Sequence, residues 1–127
     1  MSHLQTPLSK VKGMGSAKDG TEHFWAQRLT ALALIPLTIW FCFSIAALPE
    51  ASYATVVSWL QSPFNSVMLA LSLFAGFYHL QLGLQVILED YISNKEIRLY
   101  SIIAVKLLSV FFAALGIFSI IKVSVGG

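Results

Sequence analysis

Three side chains capable of chemistry fall close together in the stretch HLQLGLQVILEDY, residues 79–91: the imidazole of His79, then Asp90 and Tyr91. Inside an apolar run, an imidazole can ligate a metal, hydrogen-bond a neighbouring helix or relay a proton. A phenol beside a carboxylate offers something different. The phenol can donate a hydrogen bond to a carbonyl while its ring stays in an apolar layer, and the carboxylate can orient donors or exchange protons with water. On a helix, the eleven residues from His79 to Asp90 make close to three full turns, so the two project from one face, ~16 Å apart along the axis.

Ser72, Gly76, His79, Gly83, Val86 and Asp90 extend that face in steps of four and three. Gly76 and Gly83 lie about one turn to either side of His79, and small residues there let another helix or a flat ligand approach the backbone. A porphyrin lying edge-in against the helix needs such a gap, and histidine is a standard axial ligand of haem iron. A haem held by two imidazoles would take the second from another chain, because His3 and His23 belong to the polar N-terminal segment. From the residues alone, a helix–helix hydrogen bond and a proton relay stay open for His79. Asp90 and Tyr91 equally fit an aromatic-belt tyrosine beside a helix-terminal acid. Glu89 points elsewhere and reads as a solvated charge.

The elements that must position these groups are membrane helices. The chain of 127 residues is one domain, 57% hydrophobic and only 11% charged, with a mean hydropathy of +0.76, above the range of soluble globular chains. The net charge of +2 is small and the aromatics sit within apolar runs, which excludes a nucleic-acid interface. The single cysteine, Cys42, excludes an internal disulfide or a cysteine zinc site and reads as a small buried hydrophobe.

Residues 1–28 form a polar arm carrying Lys10, Lys12, Lys18 and Arg28 and punctuated by Gly13, Gly15 and Gly20, a largely mobile segment. Asp19 or Thr21 is placed to cap a short helix entering the bilayer, with Phe24 and Trp25 at the interface. Residues 29–48 carry no charge and give a first span of about 20 residues, enough to cross ~30 Å of hydrocarbon; Pro36 within it is tolerated. A cleaved signal peptide ending at SIA, residues 44–46, is the competing reading, weakened by the long preceding segment and by the two spans that follow. Pro63 and Asn65 then act as breakers between an interfacial helix at 51–62, with Tyr53 and Trp59 at headgroup level, and a second span at 66–88. A third span covers 99–123; Lys122 at its end is easily hydrated, and Lys106 snorkels or finds an acidic partner. The basic arm and the loop carrying Lys95 and Arg98 face the cytoplasm or matrix by the positive-inside rule, with the C-terminus outside and only Lys122 opposing. The expected fold is an all-α membrane protein of three spans plus one short interfacial helix.

His79, Gly83 and the Asp90-Tyr91 pair, together with GSAKDGTEHFWAQRLTA ahead of the first span, resemble the small hydrophobic membrane-anchor subunits of succinate dehydrogenase. The resemblance covers roughly residues 15–125, a coverage that fits one domain. It implies that His79 is one axial ligand of haem b, the other coming from a companion cytochrome b-type anchor. It implies that Tyr91 hydrogen-bonds a ubiquinone carbonyl near the iron–sulfur subunit, with Asp90 supporting that site. Arg28 would lie near a haem propionate or the quinone pocket, a guanidinium being suited to a carboxylate; as a plain positive-inside anchor it needs no such partner. Succinate oxidation itself would belong to a flavoprotein subunit. The anchor would hold the soluble part on the membrane and help reduce ubiquinone with protons from the cytoplasmic side. The alternatives are a fumarate reductase anchor working with menaquinol, and a cofactor-free structural or assembly protein. With no arginine- and serine-rich presequence, the expected location is a bacterial inner membrane, the mitochondrial inner membrane being the alternative.

Overall fold

The computed structural model describes residues 15–126, with side chains from Gly20 onward. The expectations for residues 1–14, namely a mobile arm with His3, Lys10, Lys12 and Gly13, lie outside the described residues. Four helices follow in order: α1 Gly15–Ala46, α2 Tyr53–Leu60, α3 Pro63–Tyr91 and α4 Lys95–Gly126. No strand occurs among the described residues, so the all-α reading holds. α1, α3 and α4 are each long and apolar enough to cross a membrane.

The long helices overrun their apolar stretches. α1 has 32 residues, ~48 Å at 1.5 Å per residue, against ~30 Å of hydrocarbon. It begins at Gly15, so residues 15–28 of the expected arm are helical. Asp19 and Thr21 therefore stand inside the helix and cannot cap it. Extending the helix keeps the backbone groups near the membrane boundary paired, which outweighs the ~1 kcal/mol cost of Gly20 in a helix. Pro36 is accommodated within α1, although it cannot donate to the Leu32 carbonyl.

The corner between α2 and α3 is built from short polar side chains. Ser52 caps α2, its Oγ accepting from the Thr55 N–H at 3.2 Å. Pro63 is in the first turn of α3, where its missing N–H costs nothing. Asn65 does not break the chain as its type suggested. It sits in the first turn of α3 and donates from Nδ2 to the Trp59 carbonyl at 3.0 Å, while the Ser66 hydroxyl donates to the Leu60 carbonyl. Both satisfy carbonyls left open at the end of α2. Trp40 stacks on Trp59 with centroids 5.6 Å apart and meets Phe64 edge-on at 6.3 Å, fastening the corner to α1. Trp59 thus belongs to the bundle, whereas Tyr53 is exposed. At the other end Asn94 precedes α4, its Oδ1 accepting from the N–H groups of Glu96 at 2.9 Å and Ile97 at 3.1 Å.

α3 is the central helix. It packs against α4 most extensively and against α1 next, while α1 and α4 make only marginal contact. Leu73 meets α4 at Gly116, and the Thr30–His79 contact joins α3 to α1. At 100° per residue Leu73 and His79 project about 120° apart on α3. Trp40 beside Phe64 and Thr30 beside His79 show α1 and α3 running antiparallel. Burial is sparse: Ala75, Leu82 and Ile120 are the buried apolar residues and Ser66 and Ser109 the buried polar ones. Large apolar side chains cover the outside of every span, the pattern of helices that meet lipid or another chain. Cys42 is exposed, contrary to the buried reading, because α1 buries almost none of its apolar surface within this chain. Lys106 and Lys122 are exposed and form no ion pair among the described residues, consistent with snorkelling.

A Cβ on Gly116 would lie 2.8 Å from Leu73 Cδ1, the terminal methyl of a flexible side chain. Gly116→Ala is therefore expected to be mild and Gly116→Leu to cost about 1–3 kcal/mol through overpacking. Adding Leu73→Ala should recover part of that loss. Thermal unfolding of the detergent-solubilised protein measures it, and equal stability of Gly116→Leu and wild type would contradict the close α3–α4 approach.

Candidate functional site

The candidate site begins at one hydrogen-bond junction. Thr30 Oγ1 lies 2.8 Å from the Ala26 carbonyl oxygen and 3.0 Å from that of Gln27, and is also 3.0 Å from His79 Nδ1. Threonine inside a helix commonly donates to the carbonyl four residues back, and here that leaves its oxygen aimed across the α1–α3 contact. The helix–helix hydrogen bond left open for His79 is thus present. It engages Nδ1 and leaves the second ring nitrogen, Nε2, outside any hydrogen bond among the described residues.

His79 lines a groove of about 210 Å³ together with Phe24, Gln27, Arg28 and Ala31 of α1. Arg28 places its guanidinium carbon 5.5 Å from the centre of the Phe24 ring, a cation–π arrangement that steadies a long side chain near the groove mouth. On the α3 flank, a Cβ built on Gly76 or Gly83 would have nothing within 4 Å. The glycine gap inferred from spacing is real space. Helical geometry puts Gly76, His79 and Gly83 within ~60° of one another, between the His79 contact with α1 and the Leu73 contact with α4.

Asp90 and Tyr91 lie elsewhere. Both are exposed at the end of α3, Tyr91 to 83%, and neither hydrogen-bonds another described residue. Tyr91 points about 100° round the helix from Asp90. With Thr30 level with His79 on antiparallel helices, Arg28 stands ~15 Å short of the level of Tyr91. The structure therefore brings His79 and Arg28 together and leaves Asp90 and Tyr91 as a separate pair. Glu89 is not simply solvated, since Gln85 Nε2 donates to its Oε1 at 3.0 Å.

Two residues escaped the sequence reading. Thr30 gave no signal of its own, because a threonine in an apolar run becomes a partner only once the register of two distant helices is known. His23 was assigned to the polar arm but lies on α1, seven residues before Thr30 and hence on the same face. Its Nε2 is buried and has no hydrogen-bond partner among the described residues, a state that costs about 1–3 kcal/mol. Among the described residues, no group of three or more His, Cys, Asp or Glu gathers that could chelate a metal ion. A wider apolar groove of about 570 Å³ lies at the other end of α3, against the last turns of α4; apart from Ser66 and Ser124 its walls are hydrocarbon.

A family model described as succinate dehydrogenase/fumarate reductase transmembrane subunit matches residues 2–114. A succinate dehydrogenase hydrophobic membrane anchor subunit of Rickettsia bellii is 38% identical over 107 residues, which is 84% of this chain and 86% of the relative. The protein of the same description from Paracoccus denitrificans is 31% identical over 101 residues, 77% and 78% of the two chains. A succinate dehydrogenase membrane anchor subunit of Reclinomonas americana is 29% identical over 96 residues, 73% of this chain and 80% of the relative.

Because Gly76 and Gly83 face open space within this chain and lie inside a helix, Gly76→Ala and Gly83→Ala should each keep or raise its thermal stability, by up to about 1 kcal/mol from helix propensity. Circular dichroism of the chain in detergent micelles checks this, and a loss of stability would mean that these glycines pack inside the chain after all.

Proposed function

The chain belongs to the succinate dehydrogenase/fumarate reductase transmembrane-subunit family, as a multi-pass inner-membrane protein, and on that premise we propose that it is a hydrophobic anchor subunit of succinate dehydrogenase. In this reading it holds a flavoprotein and an iron–sulfur subunit at the membrane, supplies one ligand to haem b and helps form a ubiquinone site. The relatives named succinate dehydrogenase anchors favour this direction over a menaquinol-linked fumarate reductase anchor.

The observation that carries the haem reading is the state of the His79 ring. Its Nδ1 is held by Thr30, which leaves Nε2 as the ligating nitrogen, and the glycines beside it leave room for a flat group. Metal-bound histidines typically have the other ring nitrogen hydrogen-bonded in this way. Arg28 on the same groove suits a propionate carboxylate. The groove volume favours a shared over a complete site: about 210 Å³ is below the ~300–1,000 Å³ of complete small-molecule pockets. In this reading the groove is one wall, and the second wall and a second ligand would come from a companion anchor. When bound, haem supplies a one-electron redox centre. This chain's residues orient the ligand, pair a carboxylate and exclude water from the His79 side.

Quinone belongs at the other pair. Tyr91 donates its phenolic hydrogen to a quinone carbonyl, and Asp90 at the membrane boundary holds or passes a proton from water. The basic residues Lys95 and Arg98 just beyond favour a cytoplasmic position for this end by the positive-inside rule, which would let protons reach the quinone without crossing the bilayer. The high exposure of Tyr91 and Asp90 accords with a site that the iron–sulfur subunit completes. The exposed apolar faces of all three spans accord with burial against the companion anchor.

Co-expression with the partner subunits, followed by a dithionite-reduced minus oxidised spectrum, tests the reading. His79→Ala should abolish the b-type signal. Tyr91→Phe should keep that signal while lowering succinate–quinone reduction about tenfold, the ~1.4 kcal/mol effect of one lost hydrogen bond. Wild-type spectrum and activity in both variants would sink the haem and quinone assignments together.

A further inference from the structure

We infer that Thr30 is a positioning residue for His79: its hydroxyl fixes the Nδ1–H tautomer of the imidazole and so reserves Nε2 for the iron. The inference rests on the haem reading only for what Nε2 does; the tautomer follows from the hydrogen-bond geometry itself.

Thr30 has one hydroxyl proton and three acceptors within reach. The carbonyl oxygens of Ala26 and Gln27 lie at 2.8 and 3.0 Å, and His79 Nδ1 at 3.0 Å. Two assignments are available. If Thr30 donates to His79 Nδ1, the junction holds one hydrogen bond and the imidazole proton sits on Nε2. If Thr30 donates back to the Ala26 carbonyl, its oxygen is free to accept from His79 Nδ1–H, and the junction holds two. In a bilayer no water makes up the difference, so the arrangement with more bonds is preferred. Both bonds also polarise the same hydroxyl in the same sense, which strengthens each.

The consequence for a bound metal follows from ligand chemistry. An imidazole whose Nδ1–H is donated to an oxygen is a more basic ligand through Nε2, and such partners orient the ring and tune the metal. A more electron-rich ligand favours ferric over ferrous iron. Removing the acceptor therefore raises the midpoint potential. The backbone supports this role, because Thr30 is anchored to its own helix by the carbonyl bond and presents its lone pair at a fixed height opposite His79. A valine of the same shape keeps the packing and loses the acceptor; a serine keeps the acceptor.

Two measurements test the assignment. The first is a potentiometric titration of the b-type band in the purified complex. Thr30→Val is expected to shift the ferric-to-ferrous ratio at fixed potential three- to tenfold toward ferrous, tenfold being ~59 mV for one electron, while Thr30→Ser stays near wild type. The second reads nitrogen-15 chemical shifts of the full chain, haem-free in lipid nanodiscs and labelled in its histidines, with His79 assigned by its loss in His79→Ala. Wild type and Thr30→Ser should show a protonated Nδ1, and Thr30→Val and Thr30→Ala a mixture or the Nε2–H form. Should a variant fail to assemble with its partners, the nanodisc spectrum still decides. An unchanged potential and an unchanged tautomer in Thr30→Val overturn the inference, as does Thr30→Ser behaving like Thr30→Val, which would mark a packing role alone. A wild-type complex with no b-type band would instead overturn the haem reading while the tautomer result stood.

Discussion

A bilayer supplies no hydrogen-bond partners, so a polar atom carried into it must bring its own. The junction at Thr30 and His79 is the structure's answer to that constraint. A backbone carbonyl, a hydroxyl and an imidazole nitrogen lie within 3.0 Å steps of each other, and they join α1 to α3 at a fixed height. Much else depends on that height. It sets which residues of α1 stand beside His79, and thus why Arg28 and Phe24 line its groove. It also sets the separation of that groove from Asp90 and Tyr91, since the register of two antiparallel helices cannot be changed at one level alone.

Sharing α3 between two neighbours explains the rest of the architecture. One face takes α4, where Gly116 lets Leu73 come close; a second face, about 120° round the helix, takes α1. Helices pack in lipid through small residues and close backbone approach, with no water to expel. A central helix used on both sides therefore has a third flank left over. On α3 that flank carries Gly76 and Gly83, with open space above both, and His79 at its edge. Burial is thin as well: the buried His23 Nε2 lacks a partner, and no large side chain is fully buried, among the described residues.

The sequence made some of this plain and hid the rest for definite reasons. Long apolar runs, uncharged in the first two spans, set the three spans, because hydrocarbon thickness leaves few other solutions. The glycine gap beside His79 was legible because Gly76, His79 and Gly83 share one helix, where 3.6 residues per turn fixes their relation. Boundaries were harder. Asn65 looked like a breaker, yet it caps the preceding helix from inside the next one, a role that depends on a corner only the fold creates. The helical state of residues 15–28 was masked by their polarity, which reports where a segment sits relative to lipid but not whether it is helical. Thr30 was invisible as a site residue because its partner lies on another helix, and periodicity within one helix carries no register between two; His23 was hidden by the polarity of the segment around it.

The two ends of the bundle are built to different specifications, and this bears on how such a subunit works. At the α2 end, Trp40, Trp59 and Phe64 interlock and the side chains of Asn65 and Ser66 close the turn on open carbonyls. Each aromatic pair contributes about 0.5–1.5 kcal/mol beyond its burial, so this end is self-sufficient. At the other end, α3 stops at Tyr91 with the side chains of Asp90 and Tyr91 exposed and making no hydrogen bond among the described residues, and α4 restarts within a few residues under the Asn94 cap. A rigid far end and a short, capped near turn hold Asp90 and Tyr91 in position without committing them to contacts inside the chain. Groups held in place and left unsatisfied are what a site completed by other subunits requires. In this bundle the interlocked aromatic corner and the exposed Asp90–Tyr91 pair stand at opposite ends of α3.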